Sequence, residues 1–219
     1  MTELSLREIP VREVYRYLGY RGITPSEEIT EKIRACTGQL LSAVSPRQVH
    51  AYYDLEVGEK SVRAAGMEIG SKGLLRNLKG CEKVCLLAVT IGVGADRLVA
   101  RAQLHDMLDA AIFQAAGAAA VEAWCDLVNS AIREEAAQQG YYCRPRFSPG
   151  YGDFPLEYQK NFSNLLRMPV SIGVSLTDSL LMIPSKSVTA LIGLSRTEQP
   201  CILQGCEECS ASAECAYRR

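Results

Sequence analysis

The chain has 219 residues, of which 47% are hydrophobic and 22% charged. That balance excludes a disordered chain and is enough for one or two domains with a real core. Its 24 basic and 25 acidic side chains leave a net charge of −1, so overall charge argues for neither nucleic acid nor an anionic membrane as partner. The longest apolar run, Val84 to Ile91, is far short of the ~20 residues that span a bilayer. The start, Met1-Thr2-Glu3-Leu4, lacks the basic patch and apolar stretch of a signal peptide. A cytoplasmic protein is the expectation.

In chain order, apolar Val11, Val14, Tyr15 and Leu18 predict a short helix over 11–18. Thr24-Pro25-Ser26-Glu27 reads as a capping box with Pro at the first helical position. The helix it opens should reach about Ala43, with Ile29, Ile33, Leu40 and Leu41 inward. Residues 48–57 and 61–69 alternate as two strands joined through Gly58. Residues 74–78 fit a short helix, and 83–91 (KVCLLAVTI) a buried strand by length and β-branching. One helix is expected over 93–102 and a long Ala-rich one over 105–138, closed by Gly140. A polar loop holds Arg146 to Asp153, and 155–166 reads as a helix. Residues 170–174, 179–183 and 187–194 read as strand or turn segments. Helices and strands do not alternate regularly, so the expected class is α+β: a mixed, partly antiparallel twisted sheet with a long Ala-rich helix. The division expected is 1–82 as a helical and β-hairpin part, 83–198 as the core and 199–219 as a Cys-rich tail.

Nine cysteines and no secretion signal point to reduced thiols rather than a disulfide framework. Cys36, Cys81, Cys85, Cys125 and Cys143 are scattered and read as small hydrophobes. Cys201, Cys206, Cys209 and Cys215 crowd into the tail, and Cys206-Glu-Glu-Cys209 is a C-x-x-C pair. Such a turn brings two thiolates to one metal, and four suit zinc or an iron–sulfur cluster. The spacing matches neither a zinc ribbon nor a ferredoxin run, so a metal site and a loose reducing tail both stay open.

Gly92-Val93-Gly94 after a strand invites a dinucleotide reading, but the position of the third glycine is Arg97. A tight strand-to-helix turn accounts for it better. His50 and His105 lack ligand spacing and are expected at the surface or as caps, and no nucleophile elbow exists. The loop from Arg144 to Pro155 is the richest in the chain. Prolines at 145, 149 and 155 stiffen it, and Gly150 and Gly152 allow close backbone approach. An Arg there can clamp a carboxylate, and a Tyr can stack on a purine or face a cation. Backbone groups freed by the turn can read an adenine edge. Those parts suit an amino acid joined to a nucleoside through a sulfonium; a stiff loop before a helix is the plainer reading.

The run Arg146-Phe147-Ser148-Pro149-Gly150-Tyr151, followed by Pro155 and a helix, resembles the R-x-x-P-G-Y signature of the activation domain of cobalamin-dependent methionine synthase. Leu176-Thr177-Asp178-Ser179 and Met182-Ile183-Pro184 to Ser187-Val188 resemble that domain's L-T-[DE]-S and M-x-P…S-V segments, in the same order. Ala120-Val121-Glu122-Ala123-Trp124 resembles its A-E-A-F helix, and the likeness spans about residues 83 to 194. The resemblance implies that domain's fold and binding of S-adenosylmethionine. Arg146 would hold the methionyl carboxylate, the Ser148 and Gly150 backbone would line the nucleoside with Tyr151 against it, and Glu122 would accept from an amino or ribose group. It also implies a corrinoid-binding methyltransferase as partner, carrying the cobalamin, and a flavodoxin- or ferredoxin-like electron donor. In that family the domain reactivates cob(II)alamin by reductive methylation. The expected function is therefore a free-standing reactivation module in methionine synthesis, a methyltransferase component active only with its corrinoid partner. Two alternatives stay beside it: an iron–sulfur reductive activator using the tail thiols, and a docking subunit without ligand.

Overall fold

The computed structural model describes residues 6–20 and 23–198. The four tail cysteines lie outside them. Within the described residues the chain forms helices α1 (Val11–Tyr17), α2 (Glu27–Ala43), α3 (Lys72–Asn77), α4 (Gly94–Ala102), α5 (Met107–Gln138), α6 (Gln159–Leu165) and α7 (Met168–Ser171). The strands are β1 (Arg47–Val57), β2 (Val62–Ala64), β3 (Met67–Ile69), β4 (Lys83–Thr90), β5 (Tyr142–Cys143), β6 (Ser175–Leu176), β7 (Met182–Ile183) and β8 (Ser187–Ser195). Six strands make one sheet in the order β3-β2-β1-β4-β8-β5, and β6 and β7 make a separate pair. The β1–β2, β2–β3, β5–β8 and β6–β7 pairings are antiparallel. The mixed, partly antiparallel α+β architecture with a long Ala-rich helix is thus as expected.

Two compact units interleave along the chain. The first holds 1–48, 89–130 and 169–188, and the second 49–88, 131–168 and 189–219.

In the first unit, Ser26 rather than Thr24 caps α2, its hydroxyl accepting from Ile29 N–H at 3.4 Å. Pro25 precedes the cap and is buried, so it is not the first helical residue. Ile33, Cys36 and Leu40 recur on the buried face of α2, while Ile29 and Leu41 are half-buried. Asp106 caps α5 through Leu108 N–H at 2.8 Å and also receives Lys32 Nζ of α2 at 2.5 Å. The lone tryptophan, Trp124, donates its indole N–H to the Arg47 carbonyl at 3.0 Å while 2% exposed. The glycine pair after β4 is a turn: Gly92 sits at φ +79°, and Ser45 N–H donates to the Ile91 carbonyl at 2.8 Å. A Cβ on Gly94 would lie 2.0 Å from the Ala43 carbonyl oxygen. Backbone already fills the space a phosphate would need there, which removes the dinucleotide reading.

Residues 170–174, expected as strand or turn, begin in the last two residues of the one-turn helix α7 and continue as turn. Pro169 sits inside α7, whose Met168 is buried, and Pro suits the first turn of a helix. Residues 179–183 are mostly turn, and only Met182–Ile183 pair.

In the second unit, the stretch 61–69 is two strands. β2 turns into β3 at Ala65 and Gly66, both at positive φ (51° and 75°), the conformation a two-residue hairpin needs. Seven of the eight β4 residues are buried, each fully buried aliphatic side chain contributing about 1.5–3 kcal/mol. Residues 155–166 open as a 3-10 turn, Leu156–Tyr158, before α6. His50 is neither a surface residue nor a cap: it is half-buried, edge-on to Tyr52 and 3.4 Å from the Glu135 carboxylate. His105 is exposed.

By length and composition α5 would pass for a membrane span, with a window of mean hydropathy 1.3, but 61% of that window is buried in the protein. Four of its alanines, Ala115, Ala116, Ala119 and Ala120, are buried.

Candidate functional site

Arg146, Ser148, Gly150 and Tyr151 fall in the second unit, in the loop between β5 and α6. Two backbone bonds of 2.9 Å tie Phe147 to Leu191 of β8, fixing the loop's entry. Before it, Arg144 N–H donates to the Gly193 carbonyl at 2.7 Å, and the Arg144 guanidinium donates to the Lys79 carbonyl at 2.8 Å. Asn77 of α3 donates to the Pro145 carbonyl at 3.3 Å. The loop is therefore held by strand and helix before the signature begins.

The signature itself is a tight turn. Tyr151 N–H donates to the Ser148 carbonyl at 3.0 Å, with Pro149 second and Gly150 third at φ +86°. Pro then Gly at positive φ is the type II arrangement. A Cβ on Gly150 would stand 3.0 Å from Leu156 Cδ1, a second reason for glycine there. Gly150 N–H donates to the Phe154 carbonyl at 2.8 Å and Phe154 N–H to the Tyr151 carbonyl at 3.1 Å. The backbone donors at 150 and 151 are thus used inside the turn. At these two positions a ligand would therefore meet carbonyl acceptors rather than N–H donors.

An aromatic stack supports the turn from beneath. Phe147 meets Tyr151 edge-on at 5.5 Å and Phe154 at 6.2 Å, and Phe154 continues to Tyr158 at 5.5 Å and Phe162 at 6.5 Å. Phe147, Phe154 and Phe162 are buried, whereas Tyr151 is 52% exposed. Packing fixes one edge of the Tyr151 ring and leaves much of the rest open. Arg146 and Ser148 are half-buried and Gly150 is exposed.

Sequence reasoning passed over Asp153. Its carboxylate accepts from Ser71 Oγ at 2.5 Å, Lys72 N–H at 2.6 Å and Gly73 N–H at 3.1 Å. It thereby satisfies the open amides at the start of α3. The Ser71 hydroxyl, then the two amides, hold the Asp153 carboxyl below its ordinary range. Gly73 admits this contact, since a Cβ there would lie 3.0 Å from both Asp153 Oδ1 and Phe147 Cζ. The partners lie about eighty residues apart, so no local pattern marks them.

Glu122 belongs to the first unit, half-buried on α5. Cys201, Cys206, Cys209 and Cys215, read as metal ligands from spacing, lie outside the described residues. Of the scattered five, Cys36, Cys81, Cys85 and Cys125 are buried, as small hydrophobes would be, and Cys143 is half-buried. Burial raises the Cys85 thiol well above its ordinary value.

An α+β core of this kind, with a stiffened turn before a helix and one long inner helix, has a solved counterpart. The structure described as the MetH reactivation domain bound to AdoHcy matches with a TM-score of 0.61 and 15% identity, over 88% of this chain and 78% of that one. The family model described as vitamin B12 dependent methionine synthase, activation domain, matches residues 76–199. That is more than half of the chain, and the chain belongs to this family. No curated protein sequence matches it.

Proposed function

We propose that the protein binds S-adenosylmethionine at the 146–151 turn and serves as the reactivation module of a separate corrinoid methyltransferase. Family membership supports this, as does AdoHcy in the solved counterpart. The observation that carries it is the turn itself: a half-buried guanidinium, a hydroxyl and a half-exposed tyrosine ring set on a buried aromatic stack. Bound S-adenosylmethionine would supply an electrophilic methyl group. Arg146 would pair with the ligand's carboxylate, the natural task of a planar fork of donors. The Tyr151 face would stack on the purine or meet the sulfonium. The Gly150 carbonyl and the Ser148 hydroxyl would accept from an amino or hydroxyl group of the nucleoside. No proton need be abstracted, so the chain's task is to position the ligand and limit water. The cobalamin would sit on the partner protein, and a flavodoxin- or ferredoxin-like donor would deliver the electron.

Calorimetry with S-adenosylmethionine tests the reading. The unaltered chain should bind, and Arg146→Ala should lose about 2–4 kcal/mol of affinity, the size of a charge-assisted pair left unmade. Unchanged affinity removes Arg146 from the site. Absence of heat from both proteins at millimolar ligand leaves a docking subunit without ligand.

A further inference from the structure

The short helix α3 holds both ends of the 146–151 turn. At the entry, Asn77 Nδ2 donates to the Pro145 carbonyl at 3.3 Å, and just past the helix the Lys79 carbonyl accepts from the Arg144 guanidinium at 2.8 Å. At the exit, the Asp153 carboxylate accepts from Ser71 Oγ, Lys72 N–H and Gly73 N–H. All of these residues belong to the second unit. Two details go beyond ordinary packing. Asn77 is 5% exposed, and its Oδ1 is buried with no hydrogen-bond partner among the described residues. A polar group so placed costs stability that an apolar side chain would not. What it returns is the bond to Pro145, one residue before Arg146. Gly73 is a helical residue, where alanine is the better helix former. A Cβ there would lie 3.0 Å from both Asp153 Oδ1 and Phe147 Cζ. Phe147 is buried and meets Tyr151 edge-on at 5.5 Å, so a push on it passes to the tyrosine ring.

We propose that α3 is a clasp that sets the shape of the turn, and that Asn77, Gly73 and Asp153 are positioning residues for the ligand held by Arg146 and Tyr151. The inference rests on the reading of the turn as a ligand site. Asn77 fixes where the chain enters at Arg146, and Asp153 fixes where it leaves after Tyr151. Gly73 lets the helix come close enough to meet Asp153 and Phe147 at once. Each of the three acts through the turn, whose geometry then costs the ligand less to find.

The test uses the full chain, with S-adenosylmethionine as the probe, and three variants. Gly73→Ala presses on Asp153 and Phe147, and Asn77→Leu removes the bond to Pro145. Gly38→Ala is the control, a helical glycine of the first unit with nothing within 4 Å of a built Cβ. Calorimetry reads affinity and urea unfolding reads stability. Hydrogen exchange, read by mass spectrometry over 147–154, reports the Gly150, Tyr151 and Phe154 amides, which are bonded within the turn. Gly73→Ala and Asn77→Leu should each weaken binding about tenfold and speed exchange of the turn about tenfold. Gly38→Ala should change neither. Exchange of the turn at the parent rate in both test variants overturns the proposal. So does affinity that falls only where the urea midpoint falls with it, which would make α3 packing alone. Should the unaltered chain give no heat with S-adenosylmethionine, the proposed ligand falls and exchange alone decides the clasp. Should one test variant misfold by circular dichroism, the other decides.

Discussion

Two glycines show how little residue type alone foretells. Gly38 lies inside α2 with nothing within 4 Å of a built Cβ, whereas one on Gly94 would stand 2.0 Å from the Ala43 carbonyl oxygen. Gly38→Ala should stabilise the protein by about 0.5–1 kcal/mol, through helix propensity and a less free unfolded chain. Gly94→Ala should destabilise it on the order of 3 kcal/mol, because backbone rather than a flexible tip must shift. Urea unfolding of both variants checks the opposite signs. Gly117 is intermediate: a Cβ there meets Lys186 Cε at 2.9 Å, the end of a side chain that can move. Arg146, Ser148, Gly150 and Tyr151 were legible in the sequence as a signature, and the structure sets Ser148, Gly150 and Tyr151 on one turn with Arg146 two residues before it. The internal use of the Gly150 and Tyr151 amides was not legible, because it depends on where the Phe154 carbonyl comes to lie.

At the scale of elements, α3 depends on a residue far along the chain. Asp153→Ala should cost about 1–2 kcal/mol, as loss of a helix cap does, and thermal or urea unfolding would show it. The pH dependence follows from the depressed Asp153 carboxyl. Its contribution is fully present above the unfolded value, about pH 4, and is lost as pH falls through the lower folded value. The stability gap between the native protein and Asp153→Asn should therefore narrow from pH 5 towards pH 2. A gap independent of pH would mean the carboxylate charge contributes nothing. Elements with long patterns were legible: β4 by its apolar run and α5 by its alanines. Some short helices were legible as well, α1 and α4 within a residue at each end, but other short elements were not. The β2–β3 turn uses Ala65-Gly66 in place of the Asn-Gly or Asp-Gly that marks such hairpins. At α7 the stretch 170–174 read as strand or turn, while Pro169 and a buried Met168 belong to a helical turn.

Across the whole molecule, the chain passes between the two units at 48/49, 88/89, 130/131, 168/169 and 188/189. Each passage falls inside a helix or strand: β1, β4, α5, α7 and β8 in turn. No loop marks the boundary, so composition and linker patterns had nothing to register. Thermal unfolding should show one transition, with far-ultraviolet circular dichroism and tyrosine absorbance changing together. Two resolved steps would mean the units unfold independently.

The indole of Trp124 gives the first unit its own optical signal. It is the sole tryptophan in the sequence, and its ring is shielded from water while its N–H is tied to a carbonyl. Emission excited at the red edge of its absorption should peak at short wavelength in the native protein. The colour of that light would then report when the start of β1 parts from α5.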